Sequence, residues 1–237
     1  MGQGEKIIEV VGLSYVYPDG FQALKDVSFS VYSGEGLGII GPNGAGKSTL
    51  LLHLNGLLRG QGKIFMAGEE MNSRNLKKIR SKIGLVFEDP RDQLFLPTIF
   101  DNLAFGLINQ GKEQEEIKER IQNVLNQLNL DGCEAKPARR LSAGERKKAS
   151  LATVLVMEPE VLLLDEPTAN LDPGGRKSFI NILKSLSLTK IIATHDLDFV
   201  EQVCSRLILL ANGVIVAQGR TREILNNKTL LQAFNLD

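Results

Sequence analysis

Apolar residues in this chain gather into short unbroken runs: GLGII at 36–40, KIGLVF at 82–87, VLLLD at 161–165 and KIIAT at 190–194. Runs of that length without alternation read as strands covered on both faces. The helix-like stretches between them predict crossover units and a largely parallel sheet. Near the end the pattern changes, because in RLILLANGVIVAQG the pair Asn212-Gly213 separates two apolar runs. Both residues tolerate positive φ, so the pair is a type I′ hairpin signal and adds an antiparallel portion to the sheet. Between 113 and 130 the spacing is helical, with Ile117, Ile121, Val124, Leu125 and Leu128 on one face and charges on the other. Together with residues 95–106 and 141–157, that stretch predicts a helical lobe, about residues 89–148, inserted between the second and third strands. Residues 220–237 predict a short helical tail that packs on the core or on a partner. With no repeat and no low-complexity linker, the expectation is one elaborated α/β domain over residues 1–237.

Charge changes the picture by exclusion. Lys plus Arg and Asp plus Glu both total 28, so no net field draws the chain toward nucleic acid. The 3 Tyr and 10 Phe are not interleaved with basic residues as a single-strand stacking platform requires, and no nucleic-acid partner is expected. Cys133 and Cys204 are solitary, which gives neither a disulfide framework nor a metal cluster and fits a reducing compartment. The start, MGQGEKIIEV, lacks the apolar core of a signal peptide. The longest apolar runs stop far short of the ~20 residues of a membrane span.

Candidate chemistry begins directly after the first unbroken run. Gly41, Pro42, Asn43, Gly44, Ala45, Gly46, Lys47, Ser48 and Thr49 spell GPNGAGKST, which fits G-x-x-x-x-G-K-[ST] between a strand and a helix-like TLLLHL. Glycines let the backbone curl so that its N–H groups surround phosphate oxygens; Lys47 adds a cation and Ser48 a magnesium ligand. Asp165 ends the VLLLD strand and Glu166 follows it. Adjacent carboxylates disfavour each other's ionisation unless a cation lies beside them, so Asp165 is expected to hold the metal and Glu166 to polarise water as general base. Ser142-Ala143-Gly144-Glu145 reads as a capping box ahead of an apolar helical face, and a capped helix N-terminus also suits phosphate from a second molecule. His195 follows KIIAT at a strand's C-terminal end, where ligands sit in open α/β sheets.

In this order the motifs resemble the ATP-binding cassette family, over residues 6–220. GPNGAGKST is similar to Walker A, LSAGE to the signature, VLLLDE to Walker B, ANLD at 169–172 to the D-loop and THD to the switch histidine. The resemblance implies a P-loop NTPase core that binds ATP and Mg2+, and a head-to-tail dimer in which the phosphate loop of one subunit and residues 142–145 of the other hold one ATP. His195 would orient the water and sense the γ-phosphate, and Asp172 would communicate between sites. Tyr17, in SYVYPDG, stands where the family has an adenine-stacking aromatic, with Tyr15 the rival assignment.

The stretch VFEDPRDQLF at 86–95 resembles the Q-loop, with Glu88 where the family usually has Gln. An ionised Glu is acceptor-only, so it favours magnesium while losing the amide's donor. Ala143 and Glu145 depart from the usual Gly and Gln, which bears on ATPase rate more than on binding. The segments PDGFQALKDVSFSV, DPRDQLFLPTIFDNLAFG and DEPTANLDP most resemble the ATPases of energy-coupling factor importers, which include cobalt and nickel uptake systems. That implies a transmembrane coupling subunit, a substrate-binding membrane subunit, a second ATPase, identical or similar, and a place on the cytoplasmic face of the membrane. The transported class would be vitamins or transition-metal ions. The alternatives are a soluble cassette protein and a weakly hydrolysing subunit of a heterodimer.

Overall fold

The computed structural model describes residues 4–236. The strands are β1 (Lys6–Val16), β2 (Gln22–Tyr32), β3 (Gly36–Ile40), β4 (Gln61–Met66), β5 (Glu69–Glu70), β6 (Ile83–Val86), β7 (Val161–Asp165), β8 (Thr189–Ala193), β9 (Arg206–Ala211) and β10 (Val214–Arg220). The helices are α1 (Lys47–Leu54), α2 (Leu76–Arg80), α3 (Ile99–Asn109), α4 (Gln114–Gln127), α5 (Ala143–Leu155), α6 (Pro173–Ser185), α7 (Leu197–Val203), α8 (Thr221–Leu225) and α9 (Lys228–Ala233).

A six-stranded sheet of order β10-β9-β3-β8-β7-β6 forms the centre, parallel except for the β9–β10 hairpin. Its apolar runs are unbroken because neighbouring residues serve opposite faces. On β7, Leu162 and Leu164 join one hydrophobic cluster, and Val161 and Leu163 join another. The hairpin turns at Asn212 and Gly213, with φ of +50° and +79°, as the sequence signal requires.

The sequence pattern did not anticipate a second sheet, β2-β1-β4-β5, which is antiparallel throughout. It closes one cluster over α1, whose Leu50, Leu51 and Leu54 lie between the two sheets. On the other face of the central sheet a second cluster forms around α5, which packs against β6 and carries α3, α4 and α6 on its own flanks. The tail belongs to that second core, where Ile224, Leu231 and Leu236 are buried. An ion pair ties the layers together: Arg206 Nε donates to Glu35 Oε1 at 2.6 Å, and the same guanidinium reaches the Ser30 carbonyl on β2.

Candidate functional site

The phosphate loop links the middle of the central sheet to α1. At Gly46 the chain has φ of +102°, and an added Cβ would lie 2.5 Å from the Ala23 carbonyl oxygen. At Gly41 a Cβ would collide with the Leu210 carbonyl on β9. Only glycine lets this loop pass so close to two other strands. Lys47 opens α1 and is 7% exposed, and its ammonium donates to the carbonyls of Gly41 at 2.8 Å and Pro42 at 3.1 Å. Burial pulls its pKa down, opposed by the nearby carboxylates of Glu166, Asp165 and Glu88.

Those three acids come from the C-terminal ends of β6 and β7. Residues 43–49, Glu88 and Glu166 line one cavity of about 210 Å³. Burial raises the Asp165 carboxyl above its ordinary range; a hydrogen bond from Ser48 and the charge of Lys47 pull the other way. Its Oδ1 is buried without a hydrogen-bond partner among the described residues. An orphaned carboxylate oxygen beside a serine hydroxyl is a hard-oxygen donor set, which fits Mg2+.

Glu166 has φ of +40°, an unfavourable conformation for a residue with a Cβ, held by its N–H donating to the Ala193 carbonyl at 2.8 Å. The turn aims the carboxylate across β8. Thr194 Oγ1 donates to Glu166 Oε2 at 2.8 Å, and His195 Nδ1, as the donor a carboxylate requires, lies 2.9 Å from Oε1. The Glu166 side chain is 12% exposed and that of His195 63%, so a buried carboxylate stands beside an exposed imidazole. Neither Thr194 nor its role was read from the sequence.

After Glu88 the chain makes an ordinary turn as well as a site. Asp89 caps it by accepting from Arg91 N at 2.8 Å, and the Arg91 guanidinium holds the Asp89 carboxyl down at about 2. Two further residues tie this loop to α5. The Gln93 amide donates to Thr153 Oγ1 at 2.6 Å and to the Ser150 carbonyl at 2.9 Å, and Lys147 Nζ donates to the Glu88 carbonyl at 2.6 Å. Neither was singled out from the sequence.

The structure does not bring residues 142–145 to their own phosphate loop. The capping box forms, with Glu145 N donating to Ser142 Oγ at 3.2 Å and Ser142 N donating to Glu145 Oε2 at 2.7 Å. The Glu145 carboxyl is held low by the Ser142 N–H first and by the Ser142 hydroxyl second, so the polar groups of the box are occupied at home. Ala143 lines a separate cleft of about 550 Å³ with Glu88, Lys147 and Asn170. Gly144 lies near Gly175 of α6, and exposed Asp172 is the N-cap of that helix without a side-chain capping bond. Tyr17 is half-buried and its hydroxyl lies 3.0 Å from Thr49 Oγ1; Tyr15 turns inward, edge-on to both Tyr17 and His53. The aromatic on the phosphate cavity itself is Phe21, 55% exposed, which the sequence reading passed over.

A parallel sheet with a lysine-bearing phosphate loop at its centre and two acids on a neighbouring strand end defines a P-loop nucleotide-binding protein. Residues 24–169 match the ABC transporter family, and the chain belongs to it. A Streptomyces avermitilis protein with the provisional name ABC transporter ATP-binding protein is 46% identical, the match covering 97% of this chain and 88% of that one. The energy-coupling factor transporter ATP-binding protein EcfA of Methanothermobacter thermautotrophicus is 41% identical over 97% of this chain and 76% of its own. Among solved structures, cbiO1 from Clostridium perfringens, part of the ABC transporter complex cbiONQ, superposes with a TM-score of 0.85 at 38% identity, covering 98% of this chain and 95% of that one. The dimeric cassette MJ0796 bound to ADP and Pi gives 0.83 at 27% identity, covering 91% and 99%. The chain is an ABC ATPase, the ATP-binding subunit of a transporter. Among the described residues no helix is long and apolar enough to cross a membrane.

Proposed function

We propose that this chain powers an energy-coupling factor type importer, hydrolysing ATP with Mg2+ between two cassettes that meet head to tail on the cytoplasmic face of the membrane. The observation that carries the catalytic part is the shared cavity of the phosphate loop, Glu88 and Glu166, with the unpaired oxygen of Asp165 behind it. Bound Mg2+ would supply charge neutralisation of the phosphate oxygens, held by Ser48 and Asp165, with Glu88 as a further acceptor. Glu166 takes a proton from the attacking water, aimed by Thr194 and His195. Lys47 transfers its hydrogen bonds from Gly41 and Pro42 to phosphate oxygens. The exposed N-terminus of α5 at Ser142 suits an ATP carried by the second cassette, and the exposed D-loop Asp172 suits contact with it.

A membrane partner is supported by an apolar groove of about 440 Å³ at the junction of loop and lobe. Phe95 and Phe105 line it, 65% and 51% exposed, ring centroids 5.8 Å apart. A coupling helix of a transmembrane subunit would seat there, beside the Gln93 tie to α5, so that lobe motion becomes transporter motion. The cargo, a vitamin or a transition-metal ion, would be chosen by a separate substrate-binding membrane subunit.

Two measurements test the reading. Glu166→Gln should lower kcat about 10²- to 10⁴-fold with ATP binding retained. An unchanged rate would sink the assigned base. Purification from native membranes in mild detergent should recover a multi-span subunit, a small membrane binding protein and any second cassette. Recovery with ribosomal or DNA-repair proteins instead would overturn the importer.

A further inference from the structure

Lys147 looks at first like one more cation in the run Arg146-Lys147-Lys148, yet it is 3% exposed. A buried ammonium is costly unless every hydrogen finds an acceptor, so its partners are informative. They are two main-chain carbonyls from two different strand ends: Glu88 at 2.6 Å and Glu166 at 3.1 Å. Both residues line the phosphate cavity. The lysine itself belongs to α5, which begins at the signature serine.

The neighbouring contacts show what this bond transmits. The loop after β6 is fastened to α5 twice, through Lys147 at Glu88 and through the Gln93 amide with Ser150 and Thr153. Loop and helix are therefore one mechanical unit. The bond from Lys147 to the Glu166 carbonyl leaves that unit and grips the main chain of the Walker B acid. It does so where the backbone holds φ of +40°, a conformation that needs outside support. A shift of the Glu166 peptide would swing its side chain away from Thr194 and His195.

We propose that Lys147 is a positioning residue for hydrolysis: it joins the Glu88 and Glu166 carbonyls so that displacement of α5 re-aims the Glu166 carboxylate. The inference rests on reading Glu166 as the base. The surrounding charge agrees with it. Burial pulls the Lys147 pKa down, and the carboxylates of Glu88, Asp165, Asp89 and Glu166 around it pull the other way. The same cation offsets the extra negative charge that Glu88 brings to a position usually held by an amide.

The test uses the full chain with ATP and Mg2+, comparing Lys147→Met, which keeps length and apolar packing but has no donor, with the native protein. Losing hydrogen bonds from a charged donor should lower kcat about ten- to a hundredfold while KM for ATP stays within about twofold. Lys147→Gln, which retains an amide donor, should recover part of that loss. Placed on Glu166→Gln, the methionine substitution should slow the residual rate by no more than about twofold, because the group it aims is already gone. An unchanged kcat in Lys147→Met, a rise in KM alone, or an equal slowing on both backgrounds would overturn the proposal. If the methionine variant does not fold, Lys147→Gln is read by the same three criteria. Should Glu166→Gln alone leave the rate unchanged, the base assignment fails and this inference falls with it. A slow Glu166→Gln beside a normal Lys147→Met refutes only the role of Lys147.

Discussion

Thr194→Val removes one hydroxyl from a fully buried side chain at the end of β8 and keeps its shape. Two bonds go with it: the one donated to Glu166 Oε2 at 2.8 Å and the one accepted from Asp196 N at 3.1 Å. The first is charge-assisted and worth about 1.5–3 kcal/mol, and the second leaves an N–H short of its partner at about 1 kcal/mol. Valine's extra apolar contact returns part of this, so a net loss of about 2–3 kcal/mol is expected. For a chain of this size that corresponds to a melting temperature lower by roughly 5–10 °C in scanning calorimetry. Among the described residues the carboxylate would keep only the exposed His195 as a side-chain partner, so kcat in a coupled ATPase assay should fall about tenfold or more while ATP affinity holds. A melting temperature within about 2 °C of the native value, together with an unchanged kcat, would refute the reasoning that Thr194 holds the carboxylate proposed as the base.

Asp165→Asn should stabilise the nucleotide-free protein by about 3 °C or more at neutral pH, since it removes a buried carboxylate charge, and should abolish Mg2+-dependent hydrolysis. The sign follows from a folded pKa raised by burial. The ionised group costs stability above that pKa, and the cost fades as pH falls toward the unfolded value, so the gap in melting temperature should close in acid. A gap that widens in acid would contradict the cause assigned. Arg206→Met leaves Glu35, whose side chain is 12% exposed, as an unpaired charge between the two sheets. Denaturant titration should show a loss of about 3–5 kcal/mol, and native stability would mean that water replaces the guanidinium.

Much of the central sheet was legible because its strands are buried on both faces. GLGII and VLLLD coincide with β3 and β7 to the residue. The N-terminal sheet was not, because the pairing of β1 with β2 shifts register at four places, each of which interrupts the alternation that marks a half-buried strand. In β2 the stretch VSFSV does alternate, and it was the signal available. Within the site, residues announced by local chemistry stood out: the phosphate loop by its glycines, Asp165 and Glu166 by their strand end. Lys147 and Thr194 act across separations of 59 and 28 residues, and nothing local marks them. A lysine flanked by Arg146 and Lys148 reads as a solvated face until the fold buries it. Gln93 was hidden in the same way, by partners on a helix that begins 50 residues later.

The strand order also sets when during synthesis this protein can meet ATP. The phosphate loop lies within the first 50 residues, but β3, which carries it, pairs with β8 and β9, and Gly41 fits against Leu210. A chain leaving the ribosome therefore displays GPNGAGKST long before the strands that shape it exist. At ordinary synthesis rates the interval is roughly 10–30 s. Through that interval a fully apolar β3 waits without neighbours, and nucleotide has no formed site through which to stabilise it. ATP can select only among finished chains, which makes its binding a report on complete assembly of the sheet, and the early-made strands depend on chaperones or speed for their protection.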